Sequence, residues 1–198
     1  MAIIFPRDFP TVNGQSIIEK MTIRQVSAVA VQQSPYTYQQ QIQDFGGQRW
    51  EAEVTIRPLA HNEALAFQAF LSSLKGQKNT FKLGNPLSVS PYANNAITIN
   101  GDHDKGDATV TFHVATNTSA SAGQFFSIND RLHMFLEDLT TTPSTIDISP
   151  PLKEDLSNGD NCVLDEPVGI WRLSTNDVGW DISKSGVYNF TFACVEAL

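Results

Sequence analysis

The segment Asp102-His-Asp-Lys-Gly-Asp107 gathers hard oxygen ligands of the kind that hold calcium. An EF-hand loop needs an oxygen ligand at its fifth position, glycine at its sixth and glutamate at its twelfth. Counted from Asp102, those positions hold Gly106, Asp107 and His113, so the segment reads as an acidic hairpin loop. The four histidines, His61, His103, His113 and His133, form no HExxH motif or close pair. His113 and His133 fall inside strand patterns, where a solvent-facing or hydrogen-bonded imidazole is the usual case. No serine sits in a G-x-S-x-G elbow, and there is no P-loop or G-x-G-x-x-G. The two cysteines, Cys162 and Cys194, have neither metal spacing nor an adjacent base and read as reduced, partly buried thiols. Carboxylates are plentiful, but nothing marks out a pair for glycoside hydrolysis, and Glu137-Asp138 reads as a solvated turn. The expectation is therefore a protein that is not an enzyme, with no catalytic, cofactor-binding or metal-ligating residues and no cofactor.

Aromatic residues are the better candidates for recognition. Trp50, Trp171 and Trp180 could form a sugar-stacking platform, which would suit a carbohydrate-binding β module. Trp50 and Trp171 lie in alternating strands and read as core or interface anchors. Trp180, in Asn176-Asp-Val-Gly-Trp-Asp181, lies in a loop-like stretch and is the better ligand or interface residue. Phe45 and Trp50 are candidate anchors of a subunit contact.

The elements that would carry these residues are mostly strands. Glu19 to Val26, Ala28 to Val31 and Tyr36 to Gln43 read as strands, with Ser34-Pro35 turning between the last two. Six glutamines between Gln32 and Gln43 suit either a solvated strand face or an edge that hydrogen-bonds to a neighbouring subunit. Phe45-Gly46-Gly47 is expected to break the run. From Gln48 to Ile56, Trp50, Ala52, Val54 and Ile56 alternate with polar residues, as in an antiparallel strand with one wet face, and Pro58 should close it. Ala64, Phe67, Phe70, Leu71 and Leu74 then predict a helix over Glu63 to Lys75, with Asn62 as N-cap and Gly76 just beyond its end. Thr80 to Leu83 returns as a strand.

After Pro86 only short strands follow, in a pattern that suits a small barrel or sandwich. They cover Ala96 to Ile99, Ala108 to Val114, Gln124 to Ile128, Arg131 to Leu136, Ser144 to Ile148 and Asn161 to Leu164. Gly169 to Leu173 and a long strand from Gly186 to Ala197 end the chain. In that last strand Tyr188, Phe190, Phe192 and Cys194 make one apolar face.

Charge divides the 198 residues in the same place. Residues 1–85 carry eight Lys/Arg against six Asp/Glu, whereas residues 86–198 carry five against fifteen. The net charge of −8 argues against nonspecific nucleic-acid binding. No apolar run approaches the roughly 18 residues that cross a membrane as a helix, and no secretory leader is visible at Met1-Ala-Ile-Ile-Phe-Pro6.

Three stretches together resemble tail proteins of long-tailed bacteriophages. The first is Phe45-Gly-Gly-Gln-Arg-Trp-Glu-Ala-Glu-Val-Thr-Ile-Arg-Pro-Leu59, a helix ending Phe70-Leu-Ser-Ser-Leu-Lys-Gly76, and Thr80-Phe-Lys-Leu-Gly-Asn-Pro86. The second is Asp130-Arg-Leu-His133 with Ile148-Ser-Pro-Pro-Leu152 and Gly159-Asp160. The third runs from Gly169-Ile-Trp-Arg-Leu173 through Trp180-Asp181 to Tyr188-Asn-Phe-Thr-Phe-Ala-Cys-Val-Glu-Ala-Leu198. The distal tail proteins are the nearest match, with adjacent minor tail proteins of similar size also fitting. That resemblance implies a mainly β fold with one α-helix, made of a β-sandwich belt domain and an inserted small, OB-like β-barrel. The belt would comprise residues 1–85 and 168–198, and the acidic insert residues 86–167. It further implies a structural virion protein, made in the host cytoplasm, whose copies form a ring, hexameric in that family. Its partners would be itself, the tail tube protein and the tail-tip hub or baseplate, with no nucleic acid and no membrane insertion.

Overall fold

A computed structural model describes residues 3–85, 88, 90–92, 95–184 and 186–198. The chain is mainly β with a single helix. In chain order the elements are β1 (Arg7–Asp8), β2 (Thr11–Val12), β3 (Gln15–Ser16), β4 (Ile18–Gln33), β5 (Gln40–Ala60), α1 (His61–Leu74) and β6 (Phe81–Gly84). They continue with β7 (Ile97–Ile99), β8 (Thr109–Val114), β9 (Phe125–Ile128), β10 (Arg131–Phe135) and β11 (Ser144–Ser149). The last three are β12 (Val168–Leu173), β13 (Asp181–Ile182) and β14 (Val187–Glu196).

Two sheets hold most of these strands. The first runs β1-β6-β12-β14-β5-β4, with β13 paired to β14, and so draws on both ends of the chain. The second runs β7-β8-β11-β10-β9, entirely from the stretch between. The second sheet curls. Residues 160–163 bridge both of its edges, pairing Asn161 with Thr98 on β7 and Val163 with Ser127 on β9. That stretch makes isolated bridges and not the strand expected from Asn161 to Leu164, because it serves two edges with only a few residues each.

Each sheet has its own apolar cluster. In the first, Trp50, Ala52, Val54 and Ile56 of β5 are all buried, as their alternation predicts. The helical stripe Ala64, Phe67, Phe70, Leu71 and Leu74 covers that face. Phe67 stands edge-on to Phe190 of β14 with centroids 4.8 Å apart, and Phe70 edge-on to Phe81 of β6 at 5.8 Å. Helix and sheet are thus joined through aromatic rings, each pair adding about 1 kcal/mol beyond the area it buries. In the second cluster Phe126 and Phe135 stack at 4.1 Å with Phe112 against both.

Several element boundaries differ from the sequence expectation, each for a local reason. The helix begins two residues before Glu63, with Ala60 and not Asn62 at the N-cap, because Glu63 reaches back to the Ala60 N–H and to Arg57. Lys75 itself takes the left-handed cap conformation at φ 53°, followed by Gly76 at 64°. Gly46 and Gly47 do not break β5. The register passes from Ser27–Gln48 to Val29–Asp44, so residues 45–47 face Ala28 alone and the strand absorbs them as a bulge. Gly46 at φ 69° supplies the left-handed turn the bulge needs. Pro58 does not end β5 either, because it lies where the β5–β14 register shifts between Tyr188 and Phe190 and no ladder donor is required. Tyr36, expected to open a strand, lies in the turn that joins β4 and β5.

Replacing Phe67 with alanine removes the ring that meets Phe9, Phe70 and Phe190. Such a change should lower unfolding free energy by about 3–5 kcal/mol, measured by urea denaturation. A loss below about 1 kcal/mol would mean that the helix does not depend on this packing.

Candidate functional site

The feature of this fold least explained by its own core is the β4–β5 ribbon. Between residues 51 and 56, β5 lies between β4 and β14, and β14 alone continues to Ala60. Toward the tip from Trp50 its only strand partner among the described residues is β4, paired out to Gln33–Gln40. About nine residues at roughly 3.3 Å each make a free two-stranded arm near 30 Å long. Its turn is closed by Ser34 N–H donating to the Gln39 carbonyl at 3.0 Å, with Tyr38 at φ 57°.

The composition of this arm is unusual for a solvent-exposed edge. Residues 25–43 include no charged side chain at all. Exposed strand edges are normally blunted with lysine, proline or inward charges, and an isolated hairpin is marginal in water. Register places Val31 opposite Ile42 and Val29 opposite Asp44 on one face. The other face pairs Ala30 with Gln43 and Gln32 with Gln41. By alternation along β4, Val26 shares the face of Ala30 and is 38% exposed, Ile42 on the first face is 64% exposed, and Phe45 in the bulge is 68% exposed. Apolar groups therefore lie on both faces of a ribbon whose outer edges carry no further strand among the described residues.

The base of the arm is held by the second sheet. Gln25 donates to Ser149 at 2.6 Å and to Gln48 at 3.0 Å, Ser149 donates to Gln48 at 3.2 Å, and the Lys153 ammonium donates to the Gln48 carbonyl. Trp50, expected as a subunit anchor, is only 3% exposed and is not available as one. Its indole N–H donates to the Leu132 carbonyl at 2.9 Å, and its backbone N–H to Glu196 at 3.0 Å. Trp171 is likewise buried, its indole N–H on the Leu83 carbonyl at 2.9 Å. Trp180 is partly exposed, in the coil before β13, tilted over Phe190 at 6.2 Å. Of the three candidate anchors, then, Phe45 and Trp180 reach the surface and Trp50 does not. Gly169 fits here for want of a side chain: a Cβ would stand 3.1 Å from that of Leu132.

Ionisable groups at this junction are strongly perturbed. Burial pushes the Glu196 carboxyl up from the ordinary range, opposed by the Trp50 N–H, Lys153 and Arg131. Burial likewise brings His133 down to about 4, opposed by its bond to the Pro150 carbonyl and aided by Lys153 and Arg131. A carbonyl only accepts, so Nδ1 of His133 carries the proton in that 2.9 Å bond. Both thiols are buried, and burial raises both, Cys194 to about 12, so neither is poised as a nucleophile.

Among the described residues, no group of three or more His, Cys, Asp or Glu is placed to hold a metal ion. The expected acidic hairpin at Asp102 to Asp107 is tied to its own surroundings, with Asp102 accepting from Asn158 N–H and Asp107 from Asp104 N–H. No described helix is long and apolar enough to cross a membrane. No protein-family model and no curated protein matches the chain.

The folded-state pKa of His133 lies below its ordinary value near 6.5, so the unfolded chain takes up the proton first. Stability from this residue is complete above pH 6.5 and is lost as the pH falls toward 4, by about 3 kcal/mol. Denaturant titrations at pH 7 and 4.5 should therefore show a smaller acid loss in His133→Gln than in the parent. Equal losses would place the acid sensitivity elsewhere.

Proposed function

We propose that this chain is a structural ring subunit of a bacteriophage tail, of the distal tail type, joining tail tube to tail-tip hub. The observation that carries this reading is the arm, a ribbon without charge from Gln25 to Gln43, with apolar groups on both faces and open backbone edges. Apolar residues on one face alone would suit a ribbon lying on its own body. Apolar residues on both faces call for contacts on both sides, which a closed ring of identical copies supplies through heterologous contacts. Strand edges give main-chain hydrogen bonds, and Phe45, Ile42 and Val31 give apolar anchors.

In this reading the first sheet, with α1, is the belt, built from residues 1–85 and 168–198. The second sheet lies within the insert of residues 86–167, whose opening residue Pro86 falls outside the described residues. A nearly neutral belt permits close approach of like copies. The acidic insert repels its equivalents and is oriented outward.

A second reading, a carbohydrate-binding module, rests on partly exposed Trp180 beside Asp177 and Asp181. Burial of Trp50 and Trp171 removes the three-tryptophan platform that would have favoured it.

Light scattering after size exclusion separates the two. Six chains of 21.8 kDa should elute as a species of about 130 kDa. The double variant Val31→Lys/Ile42→Lys should run as a folded monomer with an unchanged circular dichroism spectrum. A parent chain that remains monomeric at every concentration, together with binding in a glycan screen abolished by Trp180→Ala, would overturn the ring in favour of the module.

A further inference from the structure

Residues 86–198 contain only five cationic side chains, Lys105, Arg131, Lys153, Arg172 and Lys184, among fifteen acids. Three of the five, Lys105, Arg131 and Lys153, line one cavity of about 260 Å³ at the foot of the arm. Its remaining wall includes Gly46, Gly47 and Gly106, which bring backbone close without side chains in the way; no Asp or Glu side chain lines it, and the α-carboxylate of Leu198 is the negative group at its rim among the described residues. Chance scatter in so acidic a segment would surround each cation with carboxylates instead. Among the described residues none of the three forms an ion pair. Arg131 donates to the Ala197 carbonyl and Lys153 to the Gln48 carbonyl, both neutral acceptors.

The like charges act on one another. Burial holds Lys153 below the ordinary lysine range, Glu196 opposes that effect, and Arg131 and Lys105 add to it. Glu196 supplies one negative charge behind the cavity wall, its Oε2 accepting from the Trp50 N–H and its Oε1 buried without a hydrogen-bond partner, so that with the Leu198 carboxylate two negative charges stand against three positive ones. A net positive hollow of this size, rich in donors, matches a compact anion with several oxygens.

We propose that this cavity binds a small multivalent oxyanion of the phosphate class, held by Lys105, Arg131 and Lys153. The bound ion ties the Gly46–Gly47 bulge of β5 to the second sheet and relieves the repulsion among the three cations. The site is complete within one chain and does not rest on the ring reading.

The test is calorimetric titration of the full chain with inorganic phosphate, with sodium chloride matching ionic strength throughout. One saturable site per chain is expected, with binding at least tenfold weaker in Lys105→Gln, whose side chain is exposed and whose loss leaves the fold intact. Lys153→Gln, which keeps a donor for the Gln48 carbonyl, should weaken binding to a similar degree while circular dichroism stays unchanged. A parallel titration with glycerol 3-phosphate distinguishes sources. Binding of both marks a site open to a phosphate carried on a larger molecule, whereas binding of inorganic phosphate alone marks a site for the free ion. Phosphate effects no larger than those of chloride, or equal binding by parent and both variants, would overturn the proposal.

Discussion

Trp50 is the residue on which the arrangement of this protein turns. Its backbone N–H is held by Glu196 of β14, its indole N–H by the Leu132 carbonyl of β10, and its ring meets Phe125 of β9 at 5.4 Å. One side chain thus bonds the two sheets together at the point where β5 leaves the body and continues as a free ribbon. Unpaired buried donors cost about 1–3 kcal/mol each, so both of its N–H groups need these partners. The aim of the arm, the seating of the second sheet and the burial of Glu196 all follow from that one placement.

The junction also changes how the two sheets should be regarded. Leu132 belongs to the first apolar cluster although its strand lies in the second sheet, with Phe125 and Met134 packed alongside. Lys82 of β6 pairs with Asp130 at 2.7 Å, adding a bridge near the surface. The boundary is therefore a packed interface with its own polar contacts, and the second sheet is not a freely hinged appendage. Charge separates the two halves of the sequence, yet three of the five cations of the acidic half gather at the seam.

Much of the fold is legible from residue spacing. Trp50, Ala52, Val54 and Ile56 mark one buried strand face, and the five-residue stripe from Ala64 to Leu74 marks the helix face, because periods of 2 and 3.6 are local consequences of backbone geometry. Punctuation misleads where tertiary pairing overrides it. Gly46-Gly47 and Pro58 read as breaks, but each is absorbed as a bulge once a neighbouring strand holds the chain on either side. The arm was visible only in fragments: six glutamines, two short strands and a turn. The absence of charge from Gln25 to Gln43 was the signal that could have joined them. Gln25, Gln48, Trp50, Ser149, Lys153 and Glu196 meet only in three dimensions, through bonds spanning up to 146 residues, and no local pattern announces them.

The uninterrupted course of β5 has a mechanical consequence. From the turn at the arm's tip to Ala60 it is one strand, and eight register pairs with β14 anchor its inner half. A pull on the tip along the arm runs parallel to those strands. It strains the anchoring hydrogen bonds side by side, in shear, instead of opening them one after another. Force delivered at the far end of a slender ribbon is thereby shared across the widest part of the sheet, and the ribbon acts as a tether whose weakest point is not its root.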